Sequence, residues 1–155
     1  MNRVKSGRIW FILSIIGFFI SSVPVVLVSK AIEDDALTST GYTIGVLFWA
    51  GLIVGIACWL IAYSICKKQR GFHKVSLFQK AGIVCFFKNK HAKMADVVMG
   101  VSLVLTIVDN FIYGFPHPLN AICLFMFLFS FHMHYLLNGR LYKYLFLETR
   151  KRKGD

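Results

Sequence analysis

Hydrophobic residues are gathered into long runs without a charged side chain, and short polar segments separate these runs. Residues 9–29, 36–66 and 110–139 contain no Asp, Glu, Lys or Arg. A helix needs about 20 apolar residues to cross the hydrocarbon core of a bilayer. We therefore predict an all-α integral membrane protein, with residues 1–155 forming one membrane domain. The predicted spans are residues 9–28, 43–64, 95–115 and 119–137.

The basic residues predict the orientation of these spans, because Lys and Arg flanking a span stay on the cytoplasmic side. Of the 18 basic residues, 17 precede span one, lie between spans two and three, or follow span four. Lys30 falls on the opposite side, beside the acidic residues 33–35. We therefore expect a multi-pass protein of the plasma membrane with both termini cytoplasmic. The apolar core of span one is too long for a signal peptide, so this span is expected to stay uncleaved.

The net charge of +11 has two possible partners, nucleic acid and anionic lipid headgroups. Because the basic residues flank membrane spans, we assign the charge to lipid headgroups and expect no nucleic-acid partner.

Two basic segments also contain large apolar residues: the predicted cytoplasmic loop, residues 67–93, and the basic tail, residues 140–155. The apolar run of the loop is too short to span. It indicates a short interfacial amphipathic segment between spans two and three, or a docking segment for a partner protein. The tail repeats this composition. We prefer the simpler interpretation that both segments are positive-inside flanks.

Small residues recur on one side of spans one and two, at the spacing of helix–helix contacts in lipid. They are Ser14, Gly17 and Ser21 in span one and Gly51, Gly55, Cys58 and Ala62 in span two. Small side chains let two helix backbones approach closely, so these faces are predicted to hold a four-helix bundle together. Homodimerisation through the same faces is the alternative, and the sequence does not separate the two.

Spans three and four each carry a polar stripe at helical spacing. The first consists of Ser102, Thr106, Asp109 and Tyr113, and the second of Asn120, Cys123, Phe127, Ser130 and His134. Because the two spans are adjacent and antiparallel, we expect the stripes to face each other.

Ionisable groups inside a membrane are costly and are therefore candidates for function. Asp109 is predicted to make a buried polar contact with Asn120 or Lys30 that fixes the packing of the spans. Coupling to proton or cation transport is the alternative. Asp96 lies at a depth similar to that of His134. We nevertheless prefer an Asp96 that is stabilised by the helix dipole and by headgroup water over a contact between the two.

His132 and His134 resemble a metal site, but residues i and i+2 of a helix point about 200° apart. We therefore predict no metal site. His134 belongs to the polar stripe, and His132 is expected to point towards span one or the headgroups. The four cysteines show no CxxC spacing and are expected to be small buried residues rather than disulfide or redox groups.

The second half of the chain resembles a group of small uncharacterised four-span membrane proteins of low-GC Gram-positive bacteria. The motifs that carry this resemblance are KHAKMAD, at the entry to span three, and HYLLNGRLYKY, at the exit from span four. The resemblance implies no activity. It implies that Asp96, Asn138 and Gly139 mark the cytoplasmic helix ends, with Gly139 as a left-handed stop.

The sequence contains no nucleophile–base pair, phosphate-binding glycine loop or carboxylate pair at catalytic spacing. We therefore predict no cofactor and a non-enzymatic protein that binds another membrane protein, or itself, in the bilayer. An accessory subunit or an immunity-type protein would fit. One alternative is a homo-oligomeric transporter or channel that uses the two polar stripes. Another is a membrane enzyme at the cytoplasmic interface, with Asp96, Ser130 and His134 as its candidates.

Overall fold

The computed structural model describes residues 3–69, 71–72, 90–115 and 117–148. Over these ranges the chain forms helices and short turns and contains no strand. The helices are α1 (Arg3–Ser22), α2 (Pro24–Glu33), α3 (Leu37–Lys67), α4 (Lys90–Tyr113), α5 (Pro118–Asn138) and α6 (Arg140–Tyr142), followed by a π-helical turn at Lys143–Glu148. The all-α prediction is confirmed for the described part of the chain.

Within the described ranges, four helical segments are long and apolar enough to cross a membrane. They are Arg3–Glu33, Leu37–Lys67, Lys90–Tyr113 and Pro118–Asn138. Each coincides with one predicted span, and the first consists of α1 and α2 together. The third ends at Tyr113, two residues earlier than predicted, because Gly114 adopts φ 76°. Its N–H donates to the carbonyl of Asn110 at 3.1 Å, which is a left-handed helix cap.

Two residues interrupt the helices of the first two spans: Pro24 within the first span and Asp35 at the turn into α3. Pro24 has no N–H for a helical hydrogen bond, so α1 ends at Ser22 and α2 starts with Pro24 in its first turn. Asp35 adopts φ 51° after the end of α2. The N–H of Ala36 then donates to the carbonyl of Ala31 at 2.8 Å, closing a Schellman turn that leads into α3.

The helices α1 and α3 pack backbone to backbone through the predicted small residues. A Cβ atom at Gly17 would lie 2.5 Å from the amide nitrogen of Gly55, and one at Gly51 would lie 2.5 Å from that of Ser21. Ser14 and Ser21 are fully buried, and their hydroxyls donate to carbonyls of their own helix at 2.7 Å and 2.8 Å. The predicted packing faces of α1 and α3 thus meet each other within one chain.

The spans form a row rather than a closed bundle. The rod formed by α1 and α2 packs on α3 on one side and on α5 on the other, and α5 packs on α4. Within the described ranges, α3 and α4 lie at opposite ends of this row and make no extensive contact. The small-residue faces join α1 to α3, and the polar stripes join α4 to α5.

The tail segment, residues 140–148, folds against the helix ends. The side chain of Leu145 is fully buried beside Gly7 and Cys66. Arg8 donates from its Nε to the carbonyl of Leu145 at 2.8 Å. The ring of Phe11 packs on those of Tyr142 and Phe146, with centroids 5.9 Å and 5.6 Å apart. The apolar side chains of the tail are therefore buried against α1 and α3, and its role as a positive-inside flank stays a prediction.

Residues 149–155 of the tail and residues 73–89 of the loop, which include Cys85, lie outside the described residues. The predicted interfacial segment between spans two and three falls mostly on the second of these ranges. Phe72, directly before it, is fully buried and packs on the rings of Tyr63 and Tyr144, each at 5.4 Å.

Gly139 separates α5 from α6 in an extended conformation, with φ −69° and ψ 153°. The predicted left-handed stop is therefore wrong, although α5 does end at Asn138 as expected. An extended residue redirects the chain, so that α6 starts one residue later and runs across the helix ends.

Charge is divided between the two ends of the row. Every described basic residue except Lys30 lies at the end where α1 begins, α3 ends, α4 begins and α5 ends. The contact between Arg8 and Leu145 brings the start of α1 and the tail segment together at this end. Lys30, Glu33 and residues 34–35 lie at the other end. We call these the basic end and the acidic end.

Candidate functional site

The interface between α4 and α5 combines the two predicted polar stripes. On α4 the inward positions are 92, 95, 99, 102, 106 and 109, and on α5 they are 120, 123, 127, 130, 134 and 137. Both series alternate steps of three and four, which is the 3.5-residue repeat of helices that wind around each other. Of the predicted site residues, Ser102, Asp109, Asn120 and Ser130 are buried, and Thr106 and His134 are half-buried.

At the basic end of this interface, His134 of α5 pairs with Asp96 of α4. The Nδ1 atom of His134 contacts Oδ1 of Asp96. Asn138 donates from its side-chain nitrogen to the carbonyl of His134 at 3.0 Å. The second carboxylate oxygen of Asp96 is buried and has no hydrogen-bond partner among the described residues. The imidazole of His134 therefore provides a polar contact for the carboxylate of Asp96, which is buried in the interface.

The preference for a solvated Asp96 is wrong. Asp96 is 6% exposed, which leaves little room for headgroup water. Asp96 directly follows Ala95, so it lies at the edge of the inward stripe and reaches His134 without a rotation of the helix. The contact that the sequence suggested as the alternative is the one present.

At the acidic end, Asp109 pairs with His117. The Nδ1 atom of His117 lies 3.0 Å from one carboxylate oxygen of Asp109 and 3.1 Å from the other. The ring of Tyr113 stacks on that of His117, with centroids 4.6 Å apart. A buried polar contact at Asp109 is confirmed, but the predicted partners Asn120 and Lys30 are wrong. The short turn between α4 and α5 places His117 within contact of Asp109 in the last turns of α4.

Between the two pairs, the remaining polar groups bond locally or are buried. Thr106 donates from its hydroxyl to the carbonyl of Ser102 at 2.9 Å, within α4. Asn120 is 2% exposed, and its Oδ1 has no hydrogen-bond partner in the described part of the chain. Ser130 is 4% exposed. The interface is thus polar along its length, with a carboxylate–imidazole pair at each end.

The two histidines of the HMH sequence point to opposite sides of α5. While His134 contacts α4, the ring of His132 stacks on Phe18 of α1 with centroids 4.8 Å apart. The predicted direction of His132 towards span one is confirmed. Three of the cysteines, Cys58, Cys66 and Cys123, are free and buried.

A second polar contact at the basic end joins α4 to the tail segment. The hydroxyl of Tyr142 lies 2.7 Å from Nδ1 of His91. Burial raises the pKa of Tyr142 above its ordinary value. His91 precedes Asp96 on α4 and Tyr142 follows His134, so this contact joins the tail segment to the start of α4.

Sequence reasoning missed His117, His91 and Tyr142. A signal was present for His117, since a titratable residue in a short turn beside a buried acid is a natural partner for it. His91 and Tyr142 stand in the two motifs that carried the resemblance. Their contact requires the tail to fold back, which the hydrophobic pattern did not indicate.

Comparisons with protein-family models, with curated proteins and with solved structures found no match. The resemblance to small membrane proteins of Gram-positive bacteria therefore stays a prediction.

Proposed function

We propose that this chain is a multi-pass membrane protein that acts by binding another protein within the bilayer, through the outward face of α4. An accessory subunit or an immunity-type protein would work in this way. The proposal places the chain in the plasma membrane, with the basic end and both termini on the cytoplasmic side.

The observation that carries this proposal is the composition of the α4 face that points away from α5. Val97, Val101, Val104 and Val108 are each about half exposed there. Gly100 lies on the same side, and a Cβ atom added to it would meet nothing within 4 Å. Small residues let a second helix approach closely in lipid. Valine side chains have one strongly preferred rotamer in a helix and lose little freedom on contact.

The position of α4 supports the same function. Its packing is against α5, at the edge of the row, so its opposite side is accessible to a partner in the membrane plane. The transporter alternative is less well supported. Asp96 and Asp109 each contact a histidine, and Thr106 bonds within α4, which supports a packing role for these groups more than a path for ions.

Reporter fusions test the orientation. Fusions at Lys80 and at the C-terminus are expected on the cytoplasmic side, and one at Asp34 on the outer side, because nearly all basic residues collect at one end of the spans. Fusions at Lys80 and at the C-terminus on opposite sides would disprove the proposed topology.

Co-purification tests the docking face. In mild detergent, the tagged chain is expected to retain a stoichiometric membrane-protein partner from its host. Gly100→Leu should reduce the recovered partner about tenfold, the effect of about 1.4 kcal/mol, since leucine would fill the gap that the partner helix enters. The matched control is Gly45→Leu on α3, where a Cβ atom also meets nothing within 4 Å. Equal recovery with both variants, or no partner at all, would refute this function.

A further inference from the structure

A groove with a volume of about 440 Å³ lies between α3 and α5. Phe18 of α1 forms its floor, and Trp59 and Tyr63 of α3 form one wall. Tyr135 and His132 of α5 form the other wall, and Arg140 closes the basic end. This volume is within the range of about 300–1,000 Å³ of pockets that hold small ligands.

The groove runs along the helices rather than across them. Its lining on α3 extends from Ile56 to Tyr63, which at 1.5 Å per residue is about 10 Å. It therefore begins near the middle of the first two spans and ends at the level of α6. Its walls are formed largely by aromatic and aliphatic side chains, so the part below Arg140 suits a hydrocarbon chain.

One buried nitrogen atom at the basic end of the groove lacks a partner. Nε of Arg140 is buried and makes no hydrogen bond within the described ranges. The guanidinium of Arg140 lies 5.5 Å above the ring of Phe72, and no carboxylate pairs with it among the described residues. Arginine stays charged at any physiological pH, so the end of the groove holds a positive charge that none of the described side chains balances.

We propose that this groove binds one anionic phospholipid, with an acyl chain between α3 and α5 and the headgroup phosphate on Arg140. The planar guanidinium matches a phosphate with two parallel hydrogen bonds. The apolar walls and the cationic end are arranged in the order in which a lipid presents its chain and its phosphate. The inference rests on the proposed membrane placement of the chain and is independent of the partner that α4 binds.

Trp59 provides a probe inside the groove. In the Trp10→Phe/Trp49→Phe variant it is the remaining tryptophan, because the chain has three. This variant is reconstituted into phosphatidylcholine vesicles that contain a fixed fraction of either brominated phosphatidylglycerol or brominated phosphatidylcholine, whose bromine atoms quench tryptophan on contact. We expect brominated phosphatidylglycerol to bind beside Trp59 about fivefold more strongly than brominated phosphatidylcholine. This is the gain in affinity that one basic residue near an anionic membrane surface provides.

Three substitutions in this background distinguish the effect of the Arg140 charge from the effect of the space inside the groove. Arg140→Gln should abolish the preference for phosphatidylglycerol. The charge-matched Lys143→Gln should keep it, because Lys143 is at the same end but does not line the groove. Ile56→Phe, at a position exposed to lipid, should reduce quenching by both lipids because it fills the groove, and it keeps the test valid if Arg140→Gln does not fold.

Equal quenching by the two lipids in the parent, or a preference that survives Arg140→Gln, would overturn the proposal. Absence of quenching by either lipid would also overturn it and would leave a protein segment as the occupant. The vesicles carry the same lipids in both leaflets, so the result does not depend on the orientation of the chain. Loss of the α4 partner in the co-purification experiment would leave this result unchanged.

Discussion

Replacing Gly17 with alanine is expected to cost about 3 kcal/mol of stability, the upper part of the range for overpacking a well-packed core. The added Cβ atom would lie 2.5 Å from the amide nitrogen and 2.6 Å from the Cα of Gly55. Both atoms belong to the backbone, so no side chain can rotate away and α1 must separate from α3. In lipid, the attraction between helices comes from close packing rather than from a hydrophobic effect, so separation loses most of it.

Thermal unfolding in detergent, followed by circular dichroism, measures this loss. Gly51→Ala should behave like Gly17→Ala, because its Cβ atom would lie 2.5 Å from the amide nitrogen of Ser21. The control is Gly45→Ala on α3, where a Cβ atom meets nothing within 4 Å and alanine favours the helix. A melting temperature of Gly17→Ala equal to that of Gly45→Ala would show that the two backbones are not in contact.

The spans and their packing faces could be predicted because both depend on local properties of the sequence. A charge-free run long enough for the bilayer gives the span, and a repeat of small residues such as Gly51 and Gly55 gives the face of closest approach. The row of helices could not be predicted in this way. Which faces are left without a neighbour depends on contacts between residues far apart in sequence, as between α2 and α5.

The polar pairs were predicted in part, for a geometric reason. The stripes of α4 and α5 follow from helical periodicity, and Asp109 was placed correctly on one of them. Asp96 was placed outside because an ideal helix sets it 120° from Ser102, whereas its neighbour Ala95 is on the 3.5-residue stripe and its side chain reaches across the edge. The partner of Asp109 was missed because His117 belongs to a turn, to which no periodicity applies.

The tail segment shows the limit of composition as a guide. Aromatic and leucine residues beside a basic cluster are typical both of an interfacial flank and of a segment packed against its own protein. The difference lies in Gly7, where an added Cβ atom would lie 3.2 Å from Leu145 and 2.9 Å from Cys66, so the missing side chain leaves space at the helix ends. That space exists only after α1 and α3 have packed, so it cannot be read from the tail itself.

Removing His134 while Asp96 remains is expected to be more damaging than removing both. In His134→Leu, the buried carboxylate of Asp96 loses the imidazole, and its second oxygen already lacks a partner among the described residues. Leaving a buried acceptor without its partner costs about 1–3 kcal/mol, and more for a charged group, whereas replacing both partners with apolar groups can be nearly neutral or stabilising. We therefore expect Asp96→Leu/His134→Leu to unfold at a higher temperature than His134→Leu.

The control for His134→Leu is His132→Leu, the same substitution two residues earlier in α5. His132→Leu removes an imidazole that stacks on Phe18 of α1 instead of contacting an acid, so its effect should add to that of Asp96→Leu without coupling. For the true pair, a double-mutant cycle of thermal stabilities should give a coupling well above 0.6 kcal/mol, the approximate mean for polar contacts between membrane helices. Because α4 is held in the described structure chiefly by α5, this contact is central to the attachment of the helix that carries the proposed docking face. Equal coupling of Asp96 to His132 and to His134 would mean that the two helices are joined by apolar packing, and that the carboxylate is free for another role.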